Sequence, residues 1–520
     1  MRRAATMHNL LITILLATHA TAYAAEGPFI PIDLGTLGGS QSSASDVNTS
    51  GQVVGASNGR AFLWTQAGGM IDLGTLGGSY SAARALNANG QVVGGSSLSD
   101  GAGHAFSWTP ASGMVDLGTL GGYSVAVAVN ANGQVVGVST LSDGAVHAFS
   151  WTPAGGMIDL GAPGGLPTIA VAVNDSGQVV GNSGPQAFSW TQAGGMIDLG
   201  TLGGWASKVA AVNANGQVAG SSALGGPYSQ THAFLWTPAA GMIDLDPLGG
   251  FRQAAAMNAN GQVVGWSRPG GAFSWTPDGG MIDLGGDVAV AVNDSGQVVG
   301  VSNRRAFSWT QAGGMIDLGT LGDSYSEAKA LNANGQVVGW SFSFGDFTSR
   351  AVLWQPIANL GCNATLAGCN LKGANLAGAY LKDRDLSDAN LTGANLTNAN
   401  LAAANLTDTN LKEANLTNAN LAGANVNGAN VKDVIWSNTI CPDGTNSDAN
   451  GGTGSSRCIP SAAPPLEAAP HRGGSPSVGV SAGNSERMRF HTMNSSPLRS
   501  RWIRPRQTPP SRSTPMALWP

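Results

Sequence analysis

The chain has 520 residues, of which 76 are glycine, and only 11% of its residues are charged. So few charges exclude a coiled coil, whose flanking positions need them, and so much glycine argues against a helical enzyme, because glycine is costly inside helices. A hydrophobic content of 42% is still enough to build a core, so low charge does not imply disorder here. The formal net charge is −5 and the repeats carry no basic cluster, which argues against a nucleic-acid partner.

The first residues have the pattern of a secretory signal peptide. Arg2 and Arg3 precede an apolar run at residues 10–17 that is too short to span a bilayer. Small residues at positions 22 and 24 form a cleavage site, so we expect residues 1–24 to be removed after Ala24. The mature chain is then a secreted protein, extracellular or periplasmic, without a membrane span. A plain N-terminal helix is the alternative.

Three sequence motifs recur eight times each between residues 30 and 354. They are an Asp-Leu-Gly segment (Asp-Leu-Asp in one copy), a Gly-Gln-Val-[Val/Ala]-Gly segment, and a Trp that ends Ala-[Phe/Val]-x-Trp. The Asp segment advances by about 41 residues per copy, a spacing typical of propeller blades. Its copies begin at Asp33, Asp72, Asp116, Asp159, Asp198, Asp244, Asp283 and Asp317.

One unit, residues 82–118, reads as four short strands joined by tight turns. The turn between the first two strands has the form Asn-x-[Asn/Ser]-Gly in every unit, and glycine supplies the positive φ that such a turn requires. We therefore interpret Asn87, Asn130 and Asn213 as turn residues and not as ligand-binding residues. The repeated Asp residues are interpreted in the same way, as side chains that cap a turn.

The order of the motifs predicts how the units are arranged. The chain opens with an Asp segment that no Trp strand precedes, and it ends the repeats with a Trp strand that no Asp segment follows. We expect residues 29–34 to complete the sheet begun by residues 327–354, which closes eight four-stranded blades into a ring and removes two exposed sheet edges. An open solenoid of the same units is the alternative.

These motifs resemble the bacterial extracellular HAF repeat over residues 30–354. Its tripeptide His-Ala-Phe stands at His104, His147 and His232, beside the Leu-Gly-x-Leu-Gly-Gly and Asn-x-x-Gly-Gln-Val-Val-Gly segments. The resemblance implies an exported protein without an assigned activity. Because the position of the histidine accepts other residues in the remaining units, it is not expected to be a shared metal ligand. The residues found there are Arg60, Gln186, Gly271, Arg305 and Arg350.

From residue 364 the repeat length changes to five. Leu recurs at every fifth position from Leu366 to Leu421, usually with Ala two positions earlier, and this resembles the pentapeptide-repeat family. The resemblance implies a right-handed, four-sided β-helix with four pentapeptides per coil. Arg384 and Thr409 replace the inward Ala, so we expect one wall to bulge there. Some cytosolic members imitate DNA, but the signal peptide and the balanced charges of this stack argue against that role.

The four cysteines flank or enter the five-residue repeats. We expect a disulfide between Cys441 and Cys458, and Cys362 with Cys369 is the second candidate pair, although Cys369 also occupies an inward Ala position. No zinc-type cysteine spacing is present. The predicted domains are a signal peptide at 1–24, a β-propeller at 25–358, a β-helix at 359–440, a Cys-flanked cap at 441–458 and a disordered tail rich in Arg, Pro and Ser at 459–520.

No catalytic constellation is visible, because the His and Asp residues recur at equivalent positions in different units. We assign no catalytic residue, metal or cofactor. Aromatic residues do break the repeat and are the candidate ligand contacts, with packing between blades as the alternative. We predict an exported non-enzymatic scaffold that binds a glycan or a protein, and the alternative is a glycan-active enzyme with its site in the propeller channel. The candidate contacts are Tyr123, Trp205, Phe251, Trp266 and Trp340.

Overall fold

A computed structural model describes residues 28–225, 230–246, 250–322, 324–343, 347–362 and 365–449, together with Cys458. The predicted signal peptide and the predicted disordered tail lie outside the described residues. The predicted cap is described only as far as residue 449 and at Cys458. Within this part of the chain the structure is almost entirely β.

The repeats form eight antiparallel sheets of four strands each. The first strand of the chain is β1 (Phe29–Asp33). Blades 1 to 4 follow in chain order: β2 (Ser42–Val47), β3 (Val53–Ser57), β4 (Arg60–Thr65) and β5 (Gly69–Asp72); β6 (Gly77–Leu86), β7 (Val92–Leu98), β8 (Gly103–Thr109) and β9 (Gly113–Asp116); β10 (Gly121–Val129), β11 (Val135–Leu141), β12 (Val146–Thr152) and β13 (Gly156–Asp159); β14 (Thr168–Val173), β15 (Val179–Ser183), β16 (Gln186–Thr191) and β17 (Gly195–Asp198).

The second half of the ring repeats this order. Short 3-10 turns lie at Pro163–Gly165 and Ile357–Leu360. Blades 5 to 8 contain β18 (Gly203–Val212), β19 (Val218–Leu224), β20 (Thr231–Thr237) and β21 (Gly241–Asp244); β22 (Phe251–Met257), β23 (Val263–Arg268), β24 (Gly271–Thr276) and β25 (Gly280–Asp283); β26 (Val288–Val292), β27 (Val298–Ser302), β28 (Arg305–Thr310) and β29 (Gly314–Asp317); and β30 (Tyr325–Leu331), β31 (Val337–Phe342) and β32 (Ser349–Pro356).

Strand β1 supplies the fourth strand of blade 8, whose order is β1-β32-β31-β30. It pairs antiparallel with β32, with Phe29 opposite Pro356 and Asp33 opposite Val352. The predicted closure of the ring by the start of the repeats is therefore confirmed, and the open solenoid is excluded.

The blades are held together by apolar residues that pack between neighbouring sheets. Val54 and Ala61 of blade 1 form one buried cluster with Val92 and Phe106 of blade 2, and the same arrangement recurs around the ring. Close approach of the strands explains the glycine that ends each Gly-Gln-Val-Val-Gly motif. A Cβ atom on Gly55 would lie 2.0 Å from a carbonyl oxygen of the first strand.

The turn asparagines form a second set of contacts between blades. Each Oδ1 accepts the N–H of the glutamine four positions later, as Asn48 does from Gln52 at 3.0 Å, so the predicted turn role is confirmed. Each Nδ2 also donates to the backbone carbonyl of the equivalent asparagine in the next blade. The donor–acceptor distances run from 2.8 Å, where Asn332 meets Asn48, to 3.4 Å. The circle contains Asn48, Asn87, Asn130, Asn174, Asn213, Asn258, Asn293 and Asn332.

The five-residue repeats form a β-helix in which each pentapeptide bonds to the fourth pentapeptide after it. Parallel bridges join Asn370 to Asn390 and continue in register as far as Asn420 with Ile440. The inward leucines are fully buried. This register means that one coil contains four pentapeptides, as predicted.

The expected bulge at Arg384 and Thr409 is wrong, because the ladder continues through both positions. The Thr409 hydroxyl is buried but donates to the carbonyl of Leu386 at 2.8 Å. The Arg384 side chain leaves the stack and donates to the carbonyl of Phe29 in β1 at 2.9 Å. At the two ends of the β-helix, disulfides join Cys362 to Cys369 and Cys441 to Cys458.

Candidate functional site

The ring has two faces that differ in composition. Because neighbouring strands are antiparallel, the connections from fourth to first strand and from second to third strand lie at one end of the blades, which we call the loop face. The asparagine turns and the third-to-fourth-strand turns lie at the other end, the turn face. Among the described residues of the propeller, every exposed aromatic side chain lies on the loop face: Tyr80, Tyr123, Trp205 and Phe347.

Trp205 is the most prominent predicted contact. Its side chain is 70% exposed near the start of β18. Tyr123 is also exposed, at the start of β10, and its ring lies against Gly103 of the preceding blade. The fourth-to-first-strand connections lead into both strands, so each aromatic side chain follows a glycine-rich loop.

Blade 6 brings two other predicted contacts together. The rings of Phe251 and Trp266 lie 5.4 Å apart with 45° between their planes. The guanidinium of Arg268 lies 5.2 Å from the centre of the Trp266 ring. Phe251 is opposite Arg268 in the β22–β23 pairing and Gln253 is opposite Trp266, so these side chains share one face of the blade. We call Phe251, Trp266 and Arg268 the arginine–aromatic cluster.

The predicted contacts do not form one pocket. Trp340 is half-buried in β31, opposite Glu327 of blade 8, two blades away from Trp266. The sequence interpretation missed Arg268, the last residue of β23, which directly precedes a second-to-third-strand connection of variable length. That variability, in a chain of otherwise regular repeats, is the signal that could have indicated it.

The repeated aspartates have structural contacts. Oδ1 of Asp116 accepts the N–H of Gly118 at 2.8 Å, which confirms the predicted turn-capping role. The other oxygen of the same carboxylate faces Nδ1 of His104 at 2.8 Å. In blade 1 Arg60 meets Asp72 at 3.0 Å in the same way. The His-Ala-Phe position therefore supplies a hydrogen-bond or cationic partner for the carboxylate of the same blade, which explains why histidine and arginine exchange there.

One carboxylate on the first strands breaks the symmetry of the blades. Asp46 lies in β2, two positions before the turn asparagine Asn48. The other seven blades have Ala at this position. Oδ2 of Asp46 accepts the N–H of Leu86 in blade 2 at 3.1 Å, and Oδ1 accepts the N–H of Val47. Burial raises the pKa of Asp46 to about 6, although both hydrogen bonds act in the opposite direction.

The described part of the chain contains no group of three or more His, Cys, Asp or Glu side chains arranged to hold a metal ion. Asp443, which follows the last coil, accepts both the N–H and the hydroxyl of Thr445, and these bonds lower its pKa. No helix in the described residues is both long and apolar enough to cross a membrane.

Comparison with known proteins identifies the second domain. The family model described as pentapeptide repeats matches residues 363–398 and 394–433, with eight copies. The C-terminal part of the chain thus consists of pentapeptide repeats, which form the β-helix. No curated protein matches the chain.

Three solved structures illustrate the similarity. A pentapeptide repeat protein from the Arabidopsis thaliana thylakoid lumen is 32% identical over 14% of this chain and 48% of its own, with a TM-score of 0.12. A pentapeptide repeat protein from the cyanobacterium Cyanothece 51142 is 31% identical over 14% of this chain and 46% of its own, with a TM-score of 0.09. The chain thus spans about half the length of these two proteins. The β-propeller domain of Swd1 from Myceliophteria thermophila is 8% identical over 53% of this chain and 92% of its own, with a TM-score of 0.32.

Proposed function

We propose that the mature chain is an exported, non-enzymatic scaffold that binds a glycan through aromatic side chains on the loop face of its propeller. The observation that carries this proposal is the segregation of exposed aromatic side chains on that one face. Exposed tryptophan and tyrosine rings offer flat apolar surfaces with a polar edge, which suits stacking against sugar rings. The β-helix then serves as a rigid extension of the ring.

Three features support export. The N-terminal segment has the pattern of a signal peptide, the repeats resemble the extracellular HAF repeat, and all four cysteines form disulfides, which persist in oxidising compartments. Expression of the complete chain in a secreting bacterial host tests this directly. We expect the mass of the exported protein to correspond to a start at Ala25, and retention of the uncleaved chain in the cytosol would contradict it.

A glycan array probed with the purified mature protein tests the binding proposal. We expect Trp205→Ala to weaken the affinity for the captured glycan by about ten-fold or more, because its indole supplies much of the contact area. Ile197→Ala is the matched control, since Ile197 is an exposed apolar residue on the outer strand β17 and does not lie in a loop-face connection. Equal effects of the two substitutions would contradict the proposal, as would an array without binding. A protein ligand captured through Trp205 would place the function in protein recognition instead.

The second candidate is a glycan-active enzyme with its site in the channel, and the observation in its favour is Asp46. A single carboxylate with a raised pKa, at a position where the other blades have Ala, has the property required of a general acid. Incubation of glycans bound on the array with the protein and with Asp46→Asn distinguishes the two functions. Release of sugar by the wild-type chain alone would favour the enzyme.

A further inference from the structure

Arg268 differs from the other arginines of the loop face in what its guanidinium contacts. Arg60 and Arg305 pair with the aspartate of their own blades, and Arg252 pairs with Asp246. Arg304 lies over the ring of Tyr325, with 5.0 Å between guanidinium and ring centre, and donates to its hydroxyl. Arg268 lies over the ring of Trp266 in a cation–π contact, yet within the described residues it has neither a carboxylate nor a hydrogen-bond acceptor.

This contact restrains the guanidinium and leaves its N–H donors available. A cation–π contact draws the positive charge to the ring face without using any of the five N–H donors. Phe251 in turn packs against Trp266. The guanidinium is therefore held beside the Trp266 ring before any ligand arrives, which lowers the entropy cost of binding an oxyanion.

The cluster is accessible to a ligand. Arg268 is exposed, and Phe251 and Trp266 are each partly exposed. Because the whole chain carries a net charge of −5, its overall field would repel an anion, and recognition needs a local cation.

We propose that the arginine–aromatic cluster selects an anionic glycan, with Arg268 binding a carboxylate or sulfate of a sugar residue through its fork of N–H donors. This inference rests on the proposed glycan-binding function and names the class of its ligand. The aromatic side chains of the loop face bind the sugar rings, and Arg268 binds the acidic group. Lysine lacks the planar fork and would replace Arg268 only in part.

Calorimetric titration with three hexasaccharides tests the inference: an oligogalacturonate, its neutral methyl ester, and a sulfated oligosaccharide. We expect the wild-type protein to prefer an acidic form over the ester, and Arg268→Gln to reduce that preference by about ten-fold or more, as expected for a lost charge-assisted bond. Arg268→Lys should retain part of the preference. Arg304→Gln is the matched control, because Arg304 is a second stacked arginine on the same face, and it should change the preference by less than about two-fold.

The outcomes separate the two proposals. If no oligosaccharide or array glycan binds, the proposed function itself fails. If glycans bind and Trp205→Ala abolishes binding, but the neutral ester binds as well as the acidic forms and Arg268→Gln has no effect, the proposed function stands and this inference is overturned. A response to the sulfated ligand alone would assign the acidic group as sulfate, and a response to the oligogalacturonate alone as carboxylate. Circular dichroism of each variant establishes that the fold is retained.

Discussion

The backbone N–H of Tyr380 donates to the carbonyl of Pro31, 2.8 Å away. In the next coil the equivalent N–H, that of Asn400, donates to Ala379 of the coil before it. Tyr380 belongs to the first coil and has no preceding coil, so strand β1 takes its place. The N–H of Asp33 also donates to the carbonyl of Gly378 at 3.0 Å. Strand β1 therefore closes the ring with one edge and caps the β-helix with the other.

This double role predicts a difference between two equivalent isoleucines. Ile32 in β1 is 2% exposed, whereas Ile71 at the same position of β5 is 42% exposed, because only β1 is covered by the β-helix. We expect Ile32→Ala to lower the free energy of unfolding by about 2–4 kcal/mol and Ile71→Ala by less than about 1 kcal/mol. Guanidinium unfolding followed by tryptophan fluorescence measures both. Equal losses would show that the β-helix does not bury this strand.

The asparagine circle predicts that one amide supports two blades. Asn174 is buried, accepts the N–H of Gln178 at 3.0 Å and donates to the carbonyl of Asn213 at 3.0 Å. Its replacement by Ala leaves both buried groups without this partner, so we expect a loss of about 2–4 kcal/mol in the free energy of unfolding. Asn132→Ala is the control: its side chain also reaches the next blade, at Asp175, but is exposed, and we expect less than about 1 kcal/mol.

The features of this structure that could be predicted from the sequence are those that produce a recognisable sequence pattern within one repeat or at the ends of the repeat array. Ring closure was predictable because one motif lacks a partner at each end of the array, at residues 29–34 and 351–354. The turn role of the asparagines was predictable because the whole turn lies within one copy. Their bonds to the next blade were not, because donor and acceptor lie in different copies of the repeat, and no local pattern records that one copy contacts another.

Contacts between the two domains were also outside the reach of sequence patterns. The bonds of Asp33 and Tyr380 use backbone atoms, which any residue could supply. Arg384 shows the converse case: its departure from the repeat was visible, but its partner is a backbone carbonyl at the far end of the chain, in β1. The arginine–aromatic cluster depends on the register of β22 and β23, which places Phe251 opposite Arg268 at the ends of the two strands that are farthest from the asparagine turn.

The disulfide at the end of the β-helix predicts where stability depends on oxidation. Cys441 and Cys458 are 17 residues apart, and a loop of that size corresponds to about 3 kcal/mol in the chain-entropy description. We expect the double substitution Cys441→Ser and Cys458→Ser to accelerate hydrogen exchange in the last coil, where Leu421 donates to Ile440, and to leave the propeller unchanged. The pair Cys362→Ser and Cys369→Ser is the control and should affect the first coil only. Uniform acceleration through the chain would contradict this local effect.

Asp46 predicts a pH dependence with a definite sign. Its pKa is about 6 in the folded chain and near the ordinary value of 3.8 when unfolded, so the folded state holds the proton more tightly. The contribution of this group to stability is therefore fully present below pH 4 and is lost as the pH rises to 6. A pKa difference of about two corresponds to at most about 3 kcal/mol, and the partial exposure of Asp46 reduces this to about 1–2 kcal/mol.

Among the described residues, no ion pair neutralises the carboxylate of Asp46. On the neighbouring first strand β6, Arg84 forms no ion pair with it in the described structure, and on β30 Glu327 pairs with Lys329. We expect Asp46→Ala, which gives blade 1 the residue of the other blades, to remove about 1–2 kcal/mol of the change in unfolding free energy between about pH 4 and 6. Asp100→Asn, in an exposed loop, controls for the loss of one charge. Parallel stability–pH curves for Asp46→Ala and the wild type would show that the carboxylate titrates as it does in the unfolded chain.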